Sequence, residues 1–276
     1  MRIGLCNEVI ADRPFAAQCD LAAKLGYDGL EVSPFTLGEE PHRLTPEERR
    51  GLRQAASDAG IVVTGLHYLM RAPAGLSITS RDKATRERTI GVIRDLCALA
   101  ADLGGKVLVH GSPDQRRLEP GFEDENRKHA IDCFAAAGEA AAKAGVVYCI
   151  EPLSRRQTDH INTIEEAAAI VTAIGNPALR TMIDCSSAAP TEPLSIPDTI
   201  RRWLPTGMIA HVHLNDPNRR GPGEGDLEFA PILAALREQN YAGDFGVEPF
   251  VYIPDGVTCA ARAVGYMRGL TEALPR

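Results

Sequence analysis

At 276 residues, 44% hydrophobic and 24% charged, the chain can bury roughly three quarters of its surface, in one large core or two small ones. Its net charge of −7 argues against nucleic acid or an anionic membrane as partner, since either would need a basic face. No apolar run is long enough to span a bilayer, and the seven cysteines (Cys6, Cys19, Cys97, Cys133, Cys149, Cys185 and Cys259) form no CxxC pair, so a soluble, cytoplasmic protein with reduced core thiols is expected.

Taken in order, short runs rich in Val, Ile and Leu fall at Ile3–Cys6, Gly29–Val32, Ile61–Leu66, Lys106–His110, Val146–Ile150, Thr181–Asp184, Ile209–Leu214 and Phe245–Val247. Between them the chain takes on helical periodicity. Thr45–Gln54, TPEERRGLRQ, reads as a capped amphipathic helix, and Ala84–Leu103 and Glu125–Ala144 are long stretches of strong helix formers. Glycine stands where a left-handed residue would stop a helix at Gly26, Gly60, Gly104, Gly145 and Gly175. Trp203 follows Arg201 and Arg202 in a helical stretch and is expected to pack. Eight strand–helix units of roughly 34 residues, with no linker between them, predict a single (β/α)8 TIM barrel over residues 1–276. A doubly wound open sheet lacks its signature, because GLCNEVIADRP follows the first run where GxGxxG would stand.

In such barrels the chemistry sits at the C-terminal ends of the strands. Those ends read CNE, EVSPF, LHY, VHGSP, IEPLS, IDCSS, VHLND and VEPF. The fifth to eighth strands finish with Glu151, Asp184, His213 and Glu248, spaced 33, 29 and 35 residues apart, one barrel unit each. A buried strand does not end in an unpaired charge without cost, and three carboxylates at one rim raise one another's pKa. A divalent cation removes the conflict. One nitrogen and three oxygen donors suit Mn²⁺ best, with Mg²⁺ or Co²⁺ next and Zn²⁺ less characteristic. Any one of these residues alone reads more simply as a cap, an ion-pair member or a hydrogen-bonded core histidine. Their joint spacing favours the metal.

Within HVHLNDPNRRGPGEGD, His211 and His213 share strand parity, and His213 lies roughly 6.6 Å nearer the rim, so it is the expected ligand. His67 and His110 end their strands and are candidates to hydrogen-bond substrate hydroxyls. Glu31 closes the second strand, where it can orient a neighbour. Arg116 and Arg117 in GSPDQRR either bind an anionic group or form a solvated loop.

The segments IEPLSRRQTDHINT, MIDCSS, HVHLNDPNRRGPGEGD and GVEPF resemble the xylose-isomerase-like sugar phosphate isomerase/epimerase superfamily, and within it the ketose 3-epimerase branch that acts on tagatose, allulose and ribulose. The resemblance spans nearly the whole chain. It implies one metal held by Glu151, Asp184, His213 and Glu248, with Glu151 and Glu248 doubling as the acid/base pair and Glu248 as the first base. It places a substrate-binding arginine on Arg219, six residues beyond His213, with Pro222–Gly225 matching the PGxG that follows. Arg220 is read as a solvated loop charge. A small-molecule sugar partner and a homo-oligomer, dimer or tetramer, are also implied. Two positions depart from the pattern: Gln157 stands where a second glutamate is usual, and Ser187 where a histidine is. Both family residues contact the sugar near its carbonyl, so Gln157 is expected to bind substrate through hydrogen bonds without charge.

The expected activity is therefore metal-dependent isomerisation or epimerisation of a keto-sugar through an enediolate, with two glutamates passing the proton. A lyase or dehydratase on a keto-sugar or inosose would use the same site. An endonuclease IV-like phosphodiesterase is remote: its additional histidines are missing at Ser187 and Glu228, and the acidic chain disfavours DNA. A non-catalytic sugar-binding protein would have little use for both glutamates.

Overall fold

The computed structural model describes residues 2–274. Eight parallel strands close into a barrel in chain order: β1 (Ile3–Cys6), β2 (Gly29–Val32), β3 (Val62–His67), β4 (Val107–His110), β5 (Val147–Ile150), β6 (Leu179–Asp184), β7 (Ile209–Leu214) and β8 (Phe245–Val247). Closure is made where Leu5 of β1 pairs with Val247 of β8. The TIM-barrel expectation holds. Boundaries differ by a residue or two: β3 begins and ends one residue later than its apolar run, and β6 begins two residues earlier, at Leu179.

Around the barrel lie α1 (Phe15–Leu25), α2 (Pro46–Asp58), α3 (Lys83–Leu103), α4 (Glu123–Ala144), α5 (Ile164–Ile174), the short α6 (Cys185–Thr191), α7 (Ile196–Trp203), α8 (Phe229–Glu238) and α9 (Gly256–Ala273). Thr45 caps α2 through a reciprocal bond pattern with Glu48, as TPEE suggests. All five helix-stopping glycines take positive φ. Trp203 packs against the main core.

That core lies between strands and helices and holds side chains such as Leu30, Leu66, Phe134 and Phe245. A separate small cluster, Val109, Cys149 and Met182, fills the barrel interior. All seven cysteines are buried and free. Among the described residues no helix is long and apolar enough to cross a membrane.

Candidate active site

Strand alternation sets the site. Cys149 and Met182 point into the barrel, so Glu151 and Asp184, two residues further along β5 and β6, do the same at the rim. His213 follows His211 on β7, and Glu248 follows Gly246 on β8, by the same two-residue step. Glu151, Asp184, His213 and Glu248 each offer a ligand atom within 4.8 Å of the others, at 5%, 3%, 0% and 5% exposure. His213 Nδ1 lies 3.0 Å from Glu248 Oε2 and 4.0 Å from both Glu151 Oε1 and Asp184 Oδ2.

Each donor is held from behind. His213 Nε2 donates to Glu31 Oε1 at 2.9 Å, which leaves Nδ1 as the atom facing the carboxylates. The other oxygen of Glu31 accepts from His211 Nε2 at 2.8 Å. His211 therefore sits behind the donor set, as its depth on the strand suggests. A side chain at Gly246 would press on Glu31 Oε2 and His213 Cδ2, at 2.5 and 2.8 Å from its Cβ, so glycine is needed there. Asp184 caps α6, accepting from Ser187 N at 2.7 Å and Ser186 Oγ at 2.8 Å. Asn215 donates to Asp184 Oδ2 at 2.6 Å and to the Glu248 carbonyl at 3.1 Å, joining two donors. Buried Arg116 clamps the carbonyl of Glu151 with two 2.8 Å bonds. A Cβ at Gly111 would overlap the Glu151 carboxylate.

The electrostatics follow from crowding buried carboxylates around one imidazole. Burial, then Glu248 and Asp184, push the Glu151 carboxyl well above the usual range. Burial also raises Glu248, partly offset by His213. Burial would lower His213, yet Glu248 and Glu31 outweigh it and hold the imidazole well above its ordinary value. Burial would raise Glu31, but His211 and His213 keep it well below. Three inward carboxylates around one imidazole, in a polar pocket with fixed orientations, fit a divalent cation with oxygen preference. Two other groupings are as close: in Cys6, Glu8, His67 and Glu248, His67 Nε2 already engages Glu8 at 2.9 Å and Ser33 at 2.8 Å, and in Cys6, Glu31 and His213 the carboxylate already bonds both His211 and His213.

A cavity of about 350 Å³ opens over the cluster, at the small end of ligand-site sizes. Glu151 and Glu248 line it; Asp184 and His213 do not. Arg219 and Gln157 line it, together with Glu8, Arg71, Tyr68 and Tyr252. The Arg219 carbonyl accepts from Phe250 N at 2.8 Å and Val251 N at 2.9 Å, which ties its loop to the segment just after Glu248. Gln157 Oε1 accepts from Ser154 Oγ at 2.7 Å and Ser187 Oγ at 3.2 Å, so the two departures from the family pattern touch each other. His67 stands beside the cavity, with Nε2 3.8 Å from Glu248 Oε1.

Other expectations are not met by this geometry. His110 turns outward, with Nδ1 2.7 Å from Tyr148 Oη and its ring edge-on to Phe134 of α4. It follows inward-facing Val109, so alternation sends it to the helix layer, away from substrate. Arg116 is a backbone clamp, and Arg117 pairs with Asp114, so neither side chain lines the cavity. Arg220 is no solvated charge: it bonds Glu224 Oε1 at 2.7 Å, beside Arg262 at 3.1 Å. Asn215, Glu8 and Arg71 were not singled out from sequence. Asn215 and Glu8 could have been, since each lies two residues beyond an inward rim position.

The comparisons with known proteins agree with this architecture. The chain is 28% identical over 250 residues to a D-psicose 3-epimerase of Agrobacterium fabrum, covering 86% of this chain and 80% of that protein. It is 25% identical over 254 residues to a 3-dehydro-D-guloside 4-epimerase of Escherichia coli, covering 88% and 90% respectively. A crystal structure of D-psicose 3-epimerase in the presence of D-fructose superposes with a TM-score of 0.84 over 98% of this chain and 99% of that one, at 23% identity, a likeness of fold. The profile of the xylose isomerase-like TIM barrel family matches residues 19–270, and the chain belongs to that family.

Proposed function

We propose that the protein is a divalent-metal-dependent isomerase or epimerase acting on a keto-sugar or a related polyol carbonyl compound. The observation that carries this reading is the division of the four donors: Glu151 and Glu248 are open to the cavity, while Asp184 and His213 are not. Two carboxyls facing one small cavity are what proton removal and return require. The epimerase relatives, which act on psicose and on a dehydro-guloside, support the same class of substrate.

Glu151, Asp184, His213 and Glu248 would hold the ion, with Mn²⁺ the preferred species and Mg²⁺ or Co²⁺ alternatives. When bound, it supplies positive charge that polarises a carbonyl and offsets the charge of an enediolate. Glu248 takes the proton from the carbon beside the carbonyl, its ionised form favoured by the positive charge it would help to hold. Glu151, whose neighbours are carboxylates, carries the proton to be returned. Return to the same carbon from the opposite face inverts it, and return to the neighbouring carbon moves the carbonyl, which interchanges aldose and ketose at the end of the sugar. Arg219 and Gln157 orient the hydroxyls, the first with a planar fork of donors and the second with an uncharged amide. Glu8, steadied by His67, accepts from a further hydroxyl.

A panel of keto-sugars incubated with the Mn²⁺-loaded protein in D₂O tests this reading by NMR. Deuterium is expected at the carbon beside the carbonyl, with the product showing whether inversion, isomerisation or elimination follows. No incorporation into any member of a broad panel would overturn it.

A further inference from the structure

Cys6 ends β1 fully buried, with its thiol free, inside the barrel where it groups with Glu31 and His213. Among the described residues its sulfur makes no hydrogen bond. Toward the cavity it belongs to a further group with Glu8, His67 and Glu248, whose donor atoms all lie within 4.8 Å of one another. His67 Nε2 sits 2.9 Å from Glu8 Oε2 and 3.8 Å from Glu248 Oε1. These are contacts among the donors themselves, as His213 makes with Glu248 in the first set, and an ion entering between them would replace them. Ser33 Oγ bonds both His67 and Glu8, at 2.8 and 3.1 Å, and can keep Glu8 when the imidazole turns to an ion.

Glu248 joins the two sets. Its Oε2 lies 3.0 Å from His213 Nδ1 while Oε1 faces His67, so one carboxylate presents an oxygen to each, the arrangement by which paired cations share a protein ligand. Behind His67, Nδ1 faces Glu31 Oε1 at 3.9 Å, the side on which a metal-binding imidazole takes its outer partner. The other contacts of the Glu8 and Glu248 carboxylates run to Ser33, His213 and Asn215, none of them a lysine or arginine. The donor types of the two sets differ. One thiolate, one imidazole and two carboxylates suit Zn²⁺, whereas the first set has no sulfur and suits Mn²⁺. Four protein donors also complete a tetrahedral shell, the mark of a zinc site that is closed rather than open to substrate.

We infer that Cys6, Glu8, His67 and Glu248 form a second divalent-cation site, selective for Zn²⁺, whose occupation inhibits the enzyme. An ion there draws on Glu248, the base, and on Glu8, the acceptor of a substrate hydroxyl, and both line the cavity. Both are then lost to substrate while the first ion stays in place. The inhibition rests on the role proposed above for Glu248; the site itself rests on the donor geometry.

Titration of the metal-free full chain with Co²⁺, a spectroscopic stand-in for Zn²⁺, tests the site without reference to activity. Two equivalents per chain are expected, and only one of them should bring a sulfur-to-cobalt charge-transfer band in the near ultraviolet. Cys6→Ala should abolish that band and weaken that equivalent roughly tenfold or more, leaving the other unchanged. Glu8→Gln, with folding verified by circular dichroism, reads the same site should the cysteine variant not fold, and should weaken the same equivalent. A single equivalent without the band, or a band that survives Cys6→Ala, would overturn the inference. A single equivalent that carries the band and loses it in Cys6→Ala would keep the Cys6 site and sink the four-donor reading instead. For the inhibition, Zn²⁺ added to the Mn²⁺-loaded chain should slow deuterium exchange into a keto-sugar by roughly tenfold or more, with Mn²⁺ retained by elemental analysis, and Cys6→Ala should blunt the effect. Undiminished exchange with both ions bound would overturn the inhibitory role. Two equivalents with the sulfur band, but no exchange into any keto-sugar before Zn²⁺ is added, would support the site and sink the proposed chemistry.

Discussion

Glu31 offers a sharp test, because it stands behind the proposed ligands rather than among them, yet both of its oxygens are in use. Oε1 lies 2.9 Å from His213 Nε2 and Oε2 lies 2.8 Å from His211 Nε2, with the residue fully buried. Glutamine keeps the shape and one acceptor, but loses the charge and turns an amide nitrogen toward one imidazole. His211 can adapt, since its Nδ1 has no partner among the described residues and can take the proton. The remaining oxygen then serves His213. Partners of metal-binding histidines are worth 10–100-fold in affinity, so Glu31→Gln should weaken Mn²⁺ binding roughly tenfold, or about 1.4 kcal/mol. Glu31→Ala removes both acceptors and should cost roughly 100-fold, about 2.7 kcal/mol. Calorimetric titration near pH 7, with circular dichroism as a folding control, reads both values. On the same scale His213→Ala should weaken binding far more than His211→Ala. Wild-type affinity in both Glu31 variants would refute the claim that this carboxylate aims His213 at the ion.

Metal uptake should release about one proton per ion at pH 6, since His213 holds its proton well above the ordinary imidazole pKa and must give it up at Nδ1 to coordinate. Affinity should accordingly rise with pH; calorimetry in buffers of different ionisation enthalpy would count the protons, and a pH-independent affinity would contradict the coupling. Glu248→Gln keeps an oxygen donor without a basic carboxylate, and should reduce turnover by ~10² or more with the barrel intact and some metal bound. Near-normal solvent deuterium incorporation by that variant would take Glu248 out of the base role. Arg219→Ala should lower kcat/KM by ~1.5–3 kcal/mol with metal affinity nearly unchanged. Arg220→Ala should act instead on the stability of the loop through Glu224, and equal catalytic effects from the two would make the loop a scaffold only.

Much of this was legible because a barrel is regular. Unit-length spacing brings Glu151, Asp184, His213 and Glu248 to one rim, and two-residue alternation tells His213 from His211. The same alternation, applied to β4, would have sent His110 outward once Val109 was taken as the interior residue. A polar residue at a strand end is ambiguous until its inward neighbour is known. Arg116 shows a different limit. A buried guanidinium bonded to the Glu151 carbonyl leaves no trace in spacing, because the contact joins a loop after β4 to the end of β5. Arg71 was hidden for a similar reason, its position depending on stacking over Phe35 and Tyr68 from separate loops. Glu31 was visible as a strand-end acid, but its bridge to two histidines about 180 residues away needed the closed barrel.

The most direct test of the central claim is solvent deuterium exchange measured on one preparation three times: as the metal-loaded protein, after chelation and dialysis, and after Mn²⁺ is restored. With a keto-sugar that exchanges, label should enter at the carbon beside the carbonyl, vanish with the metal and return with it. Exchange that persists in protein shown by elemental analysis to be metal-free would contradict the account, because the cluster of Glu151, Asp184, His213 and Glu248 would then have no part in C–H abstraction as a metal site.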